Sequence, residues 1–145
     1  MNRRLKYPTT STFVYHNANP KDRITGDCVV RAICTALDED YNEVVMDLAK
    51  LQIETGYDSL SKEGYSEYLS RKGWIKHPQL KHSDKTKYTG KQFCRWLNSQ
   101  HWQGNVFCHI GGHHVVAIKP AADGKYKVFD IWDSTDGCVG NWWSK

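Results

Sequence analysis

The sequence has 145 residues, of which 39% are hydrophobic and 12% aromatic, a composition that excludes a disordered chain and predicts one globular domain over residues 1–145. Its net charge of +4 comes from scattered Lys and Arg residues, so nucleic acid is not an expected partner. No apolar run approaches the ~18 residues of a membrane span and no signal peptide is visible, so we expect a cytoplasmic protein without a membrane partner.

The first strong element in chain order is a helix over residues 28–37, which follows an extended lead-in over residues 1–27. Its apolar residues recur with helical spacing. Asp27 stands at the N-cap position, a role that Thr25 could share. Because the helix is nearly apolar apart from one Arg and one Thr, we expect it to be central and buried.

Three further helices are predicted from capping residues and apolar spacing. One begins at Asp40, where Asp40 and Glu43 have the form of a capping box, and it ends before a glycine. Another covers about residues 62–72. The last runs from Thr89, which forms a second capping pair with Gln92.

The hydrophobic period then changes from helical to alternating, which predicts strands. Three strands cover residues 105–110, 113–119 and 125–132, and a loop covers residues 133–140. Short turns between these strands favour antiparallel pairing. Helices that come first and strands that come last are typical of the α+β class, here N-terminal helices packed on a C-terminal antiparallel sheet.

The cysteines indicate a reducing environment without a metal. Their number is odd and no C-x-x-C occurs, which disfavours both a disulfide framework and a zinc ribbon. The adjacent Cys108 and His109 would point to opposite faces of a strand, so they make no ligand pair. We therefore expect reduced thiols, no metal and no cofactor. The five cysteines are Cys28, Cys34, Cys94, Cys108 and Cys138.

Cys28 is the candidate nucleophile because it stands at the first turn of the buried helix. The unpaired N–H groups and the positive end of the helix dipole lie there and favour the thiolate, which is the nucleophilic form. The same N–H groups can bind an oxyanion. The alternative for this position is a small buried core residue, which is common for free cysteines.

Two histidines stand at the start of a predicted strand, directly after a pair of glycines. A side chain at this position is held rigidly by the strand and is still accessible to a substrate. Alternation along the strand puts His114 on one face with Val116 and Ile118. These bulky neighbours suggest the face toward the core. His114 is therefore the candidate general base, and His113 is the alternative.

A carboxylate on the next strand is placed to complete the site. Asp130 lies near the end of that strand, and hence close to the start of the histidine strand in an antiparallel pair. There it would accept the histidine N–H and fix the tautomer, as the third member of a triad does. Asp133 is the alternative, although it equally suits the capping of a turn.

The order Cys, His, Asp on a chain of helices followed by strands resembles the papain-like cysteine peptidase superfamily. A family of small uncharacterised proteins from bacteria and phages is more closely similar, over most of the chain. The blocks that carry the two resemblances are residues 26–33 (GDCVVRAI), 112–118 (GHHVVAI), 129–134 (FDIWDS) and 139–142 (VGNW).

The resemblance implies a thiol hydrolase that cleaves a peptide or isopeptide bond through a thioester, with Cys28, His114 and Asp130 as its triad. It also implies that Trp132 shields the His–Asp pair. The implied partner is a protein or peptide substrate, which is a host protein if the chain is encoded by a phage.

The chain departs from the papain-like pattern at the oxyanion position. Papain-like enzymes carry a Gln six residues before the nucleophile, where this sequence has Asp22, whose carboxylate would repel an oxyanion. Asn19 is the expected substitute, together with the backbone N–H of Cys28.

Two other functions remain open at this point. The same triad serves amidases and acyltransferases, and the fold also suits a non-catalytic binding module of bacterial or phage origin. A Cys28 thiol close to a His114 nitrogen and open to solvent favours the enzyme. A Cys28 buried under Trp142 or Trp143 favours the module.

Overall fold

One mixed sheet forms the centre of the fold in a computed structural model that describes residues 2–145. It has six strands in the spatial order β1-β5-β4-β3-β6-β2. All neighbouring strands pair antiparallel except β1 and β5, which run parallel. The strands are β1 (Phe13–Tyr15), β2 (Ile75–His77), β3 (Val106–Ile110), β4 (His114–Pro120), β5 (Tyr126–Asp130) and β6 (Val139–Ser144).

Five helices pack around this sheet within the described residues. The longest has 15 residues, and none in residues 2–145 combines the length and the apolar character needed to cross a membrane. The helices are α1 (Arg3–Lys6), α2 (Cys28–Leu37), α3 (Tyr41–Thr55), α4 (Lys62–Arg71) and α5 (Gly90–Ser99).

The helices α2 to α5 begin close to their predicted positions. Thr89 and Gln92 form the full capping box at the start of α5. At the start of α3, the Asp40 side chain accepts a hydrogen bond from the backbone N–H of Glu43. These local bonds satisfy N–H groups that have no partner inside a helix, which fixes where each helix begins.

α2 lies at the centre of the fold because its sequence has almost no polar face. Every residue from Val29 to Ala36 is buried. The helix ends at Asp38, which takes a left-handed backbone with φ 55° and donates its N–H to the carbonyl of Cys34. α2 packs against β4, and this contact brings Cys28 to the beginning of that strand.

Helices cover both faces of the sheet. α2, α3 and α4 pack on the face that presents Val115 and Ala117 of β4, and α5 packs on the face that presents Val116 and Ile118. β4 is therefore a continuous apolar run, as strands covered on both sides are. We expected the bulky residues Val116 and Ile118 to mark the one side of β4 that faces a core. That expectation is wrong, because both sides of the strand are buried.

The α+β class is confirmed, but the sheet is larger than predicted and is not purely antiparallel. β1 forms within the expected extended lead-in and adds the parallel edge, and β2 and β6 form the opposite edge. β1 and β2 have three residues each, too few for a visible alternation. The β6 sequence does not alternate between apolar and polar residues, because both faces of the strand are covered. Trp142 and Trp143 are consequently both buried, one in each of the two cores.

Candidate active site

Cys28 is the first residue of α2 and is half-buried. Its thiol lies beside the start of β4, where the His114 side chain and the backbone N–H of Val115 both lower its pKa. The position follows from the packing of α2 on β4, because the N-terminus of the helix meets the start of the strand. The helix therefore delivers a thiol, and the strand a histidine, to the same point.

The imidazole of His114 is held by Asp130. Nε2 of His114 lies 2.6 Å from Oδ2 of Asp130, which leaves Nδ1 as the ring nitrogen for Cys28. β4 and β5 are antiparallel neighbours, so the first residue of β4 and the last residue of β5 come together. The turn before β4 is made possible by Gly111, whose φ of +65° few other residues adopt.

Cys28 and His114 shift each other's pKa toward an ion pair. Burial raises the pKa of Cys28, but the hydrogen bond from His114, the Val115 N–H and the charge of Arg31 outweigh it, and the pKa falls below that of an ordinary thiol. Burial lowers the pKa of His114, but its bonds to Asp130 and Cys28 raise the pKa to about 9. Both directions favour a thiolate beside an imidazolium.

The buried cysteines elsewhere in the chain behave in the opposite way. Burial raises the pKa of Cys34 to about 12 and that of Cys94 to about 12. Burial also raises the pKa of Cys108 well above its ordinary value. Desolvation disfavours a thiolate at all of these positions, and Cys28 differs because it has a histidine partner.

Asp130 is fixed by four hydrogen bonds and is almost completely buried, with 1% of its surface exposed. Its Oδ2 accepts from His114 and from the Ser134 hydroxyl, at 2.6 and 3.0 Å. Its Oδ1 accepts from Arg31 at 3.0 Å and from the Ile131 backbone N–H at 2.7 Å. A carboxylate held in this way presents one fixed orientation to the imidazole.

Arg31 links Asp130 to a second buried carboxylate. Its Nε donates to Oδ1 of Asp27 at 2.7 Å, while its NH1 donates to Asp130. Asp27 also accepts from the Tyr41 hydroxyl at 2.6 Å and from the Asn19 amide at 3.1 Å. Burial raises the pKa of Asp27, but these three donors outweigh it and hold the pKa below its ordinary value.

Asp27 therefore occupies the predicted N-cap position but does not cap α2 with its side chain. The residue occupies the N-cap position, but its carboxylate is turned to Arg31 and makes no capping hydrogen bond. The N–H groups of the first turn of α2 consequently have no side-chain cap. These N–H groups and the positive end of the helix dipole lie at Cys28, the first residue of α2, and groups of this kind bind anions.

Two surface grooves meet at this site and share His113 as a lining residue. The Cys28 groove, of about 360 Å³, contains Cys28 and is also lined by Tyr65 and Leu60. The His114 groove, of about 410 Å³, contains His114 and Trp132. The thiol and the imidazole are thus reachable from solvent on two sides.

The structure brings Trp132 against His114, whereas the alternative residues His113 and Asp133 line the His114 groove without a hydrogen bond to the pair of His114 and Asp130. The Trp132 ring lies 5.2 Å from the His114 ring and remains 40% exposed. His113 is exposed in the turn before β4 and has no hydrogen bond to Asp130. Asp133 accepts the backbone N–H of Thr135 at 3.0 Å, which is a turn-capping role.

Asn19 lies at the edge of the same network. Its Nδ2 donates to Asp27 at 3.1 Å and to the Tyr41 hydroxyl at 3.4 Å. These bonds connect the segment before α2 to the start of α3. The oxyanion role of Asn19 stays a prediction, and the observed role is support of Asp27.

Arg31 is the important residue that the sequence analysis passed over as a polar exception in an apolar helix. A signal was present, because Arg is almost never buried without a carboxylate partner. Its position one turn after Cys28 also puts the two side chains on neighbouring parts of the same helix face. Ser134 carried no comparable signal, because a lone Ser in a loop is ordinary.

Two further observations concern metal binding and known relatives. Among residues 2–145, no three His, Cys, Asp or Glu side chains come together as the ligands of a metal ion do. Comparisons with protein-family models, with curated proteins and with solved structures found no match.

Proposed function

We propose that this protein is a papain-like thiol hydrolase that cleaves a peptide or isopeptide bond. The observation that carries the proposal is the order Asp130, His114, Cys28: His114 lies 2.6 Å from Asp130 and lowers the pKa of Cys28, and Cys28 lines an open groove. A structural cysteine has no need of a charged histidine beside it, whereas an imidazolium neighbour favours the thiolate, which is the nucleophilic form.

In the first step, the Cys28 thiolate attacks the carbonyl carbon of the substrate. A carbon–sulfur bond forms and the carbonyl oxygen becomes an oxyanion, which the uncapped N–H groups of α2 stabilise. Asp130 keeps the imidazolium of His114 oriented toward the reacting atoms and stabilises its charge.

In the second step, the carbon–nitrogen bond breaks and His114 gives its proton to the leaving amine. A thioester remains on Cys28 and the imidazole is now neutral. Neutral His114 then takes a proton from water, whose oxygen attacks the thioester carbon. The carbon–sulfur bond then breaks, its electron pair returns to the sulfur, and the carboxylic acid leaves, which restores the Cys28–His114 ion pair.

Access to the thiol supports the enzyme over the non-catalytic binding module. Cys28 is half-buried and lines an open groove. Trp142 and Trp143 are instead packed in the two cores, with exposed fractions of 3% and 2%. Among residues 2–145, no tryptophan lines the Cys28 groove, whereas a closed site was expected to have Cys28 buried under one. An amidase or acyltransferase would use the same steps with a different acceptor.

A reactive ester tests the proposal directly. Brief treatment with p-nitrophenyl acetate, followed by acid quenching and peptide mass spectrometry, is expected to find an acetyl thioester on Cys28. Cys138, which is exposed, is the internal control for an ordinary accessible thiol. Acetylation of Cys28 that is faster than that of Cys138, and that decays by hydrolysis, supports the proposal. Acetylation of Cys138 and surface amines alone contradicts it.

A further inference from the structure

The Cys28 groove carries basic groups and no acidic one. Among the described residues, its lining includes Lys62 and His109, together with apolar surface from Val29, Leu60 and Tyr65, and no Asp or Glu lines it. Lys62 is exposed at the first position of α4 and forms no ion pair with a carboxylate of residues 2–145. Its charge therefore remains available to a ligand in the groove.

The chemistry of the proposed reaction determines which part of the substrate enters this groove. His114 gives a proton to the leaving amine, so the amine must depart on the side of the imidazole. His114 lines the His114 groove and does not line the Cys28 groove. The acyl part of the substrate, which stays bonded to the sulfur, therefore extends into the Cys28 groove.

The charge of Lys62 affects a neighbouring residue that lines the same groove. Burial lowers the pKa of His109, and the charge of Lys62 lowers it further. The charges of His114 and Arg31 also lower the pKa of Cys28, against the effect of burial, which raises it. An anionic side chain placed beside Lys62 would gain attraction from its ammonium group, whereas Arg31 and His114 are already paired with Asp27 and Asp130.

We propose that the acyl part of the substrate carries an acidic side chain, bound by Lys62 in the Cys28 groove. The carboxylate would meet the Lys62 ammonium, and the aliphatic part of the side chain would pack on Leu60 and Tyr65. The substrate class is thus a peptide with Asp or Glu on the acyl side of the scissile bond. This inference rests on the proposed thiol hydrolase function.

Peptidyl chloromethyl ketones with Glu or Gln at the first or second residue on the acyl side test the inference. Their rates of Cys28 alkylation are measured by mass spectrometry on the full chain. We expect the Glu reagent to react about threefold to fivefold faster than its Gln counterpart at one position, the size of a partly exposed ion pair. Lys62→Glu should reverse this preference, and an acidic residue in the first turn of α4 is compatible with the helix dipole.

Lys87→Glu is the matched control, since Lys87 is exposed and lines neither groove. It changes the net charge equally and should leave the Glu-to-Gln ratio unchanged. Equal rates for the Glu and Gln reagents, or equal effects of the two variants, would overturn the inference while Cys28 labelling continues. Failure of Cys28 to react with any of these reagents, or with iodoacetamide, would instead overturn the hydrolase function itself.

Discussion

Replacement of Arg31 by Met is expected to lower the free energy of unfolding by about 3–5 kcal/mol, because it leaves two buried carboxylates without their shared cation. The Arg31 side chain is 8% exposed, and its partners Asp27 and Asp130 are 11% and 1% exposed. Water cannot replace the lost charge at this depth. Urea unfolding followed by tryptophan fluorescence measures the change.

Arg71 provides a matched control on the surface of the same protein. It also pairs with two carboxylates, Glu54 at 2.7 Å and Glu67 at 3.0 Å, but its side chain is 47% exposed. Arg71→Met should therefore cost less than about 1 kcal/mol. Similar losses for the Arg31 and Arg71 variants would contradict the account of a buried charge network.

Arg31→Lys keeps the prediction testable if the Met variant does not fold. An ammonium retains the charge but lacks the planar fork that reaches Asp27 with Nε and Asp130 with NH1. We expect a stability between those of the wild type and the Met variant. A Lys variant as stable as the wild type would show that the fork geometry of Arg31 contributes nothing.

His114→Ala is expected to lower the rate of Cys28 alkylation by iodoacetamide at pH 6 at least several-fold, toward the rate of the ordinary exposed thiol Cys138, because an unassisted thiol of pKa ~8.5 is almost entirely protonated there. The imidazolium is the group that lowers the pKa of Cys28 by hydrogen bonding and by charge. Peptide mass spectrometry after limiting alkylation gives the rate for each cysteine separately.

His113→Ala separates this effect from the general loss of a histidine. His113 is exposed in the preceding turn and makes no hydrogen bond to Asp130 or Cys28. We expect its alkylation rate to stay within about threefold of the wild type, since small changes in access have effects of that order. A large loss in the His113 variant with little loss in the His114 variant would show that His113, and not His114, is the partner of Cys28.

The sequence was sufficient for the elements that deliver the candidate triad. The apolar run after Asp27 predicts α2, and the β-branched run from His114 predicts β4 as the hairpin partner of β5. Each of these elements has a strong local pattern, and antiparallel pairing then determines that His114 and Asp130 meet. Their 2.6 Å separation agrees with that reasoning.

The sequence was insufficient where a side chain has two competing partners. Asp is one of the residue types favoured at N-caps, and the sequence around Asp27 therefore predicts that its side chain caps α2. In the structure, Arg31 one turn later competes for the same carboxylate and binds it at 2.7 Å. The outcome depends on Asp130, which is distant in sequence and holds the other end of Arg31. Local patterns contain no information about such a partner.

The edges of the sheet were unpredictable for a related reason. β1 becomes a strand because it pairs with β5, which is more than a hundred residues away in the chain. β2 similarly depends on β6. A three-residue segment has little intrinsic preference, so tertiary pairing determines its conformation.

The pH dependence of Cys28 alkylation in the wild-type protein tests the Cys28–His114 ion pair most directly. The lowered pKa of Cys28 and the pKa of about 9 for His114 predict a window in which thiolate and imidazolium coexist. With rising pH, alkylation should begin at the pKa of Cys28, below that of an ordinary thiol, and change again near pH 9 as His114 loses its proton. A single rise near the ordinary thiol pKa of ~8.5, equal to that of Cys138, would contradict the account.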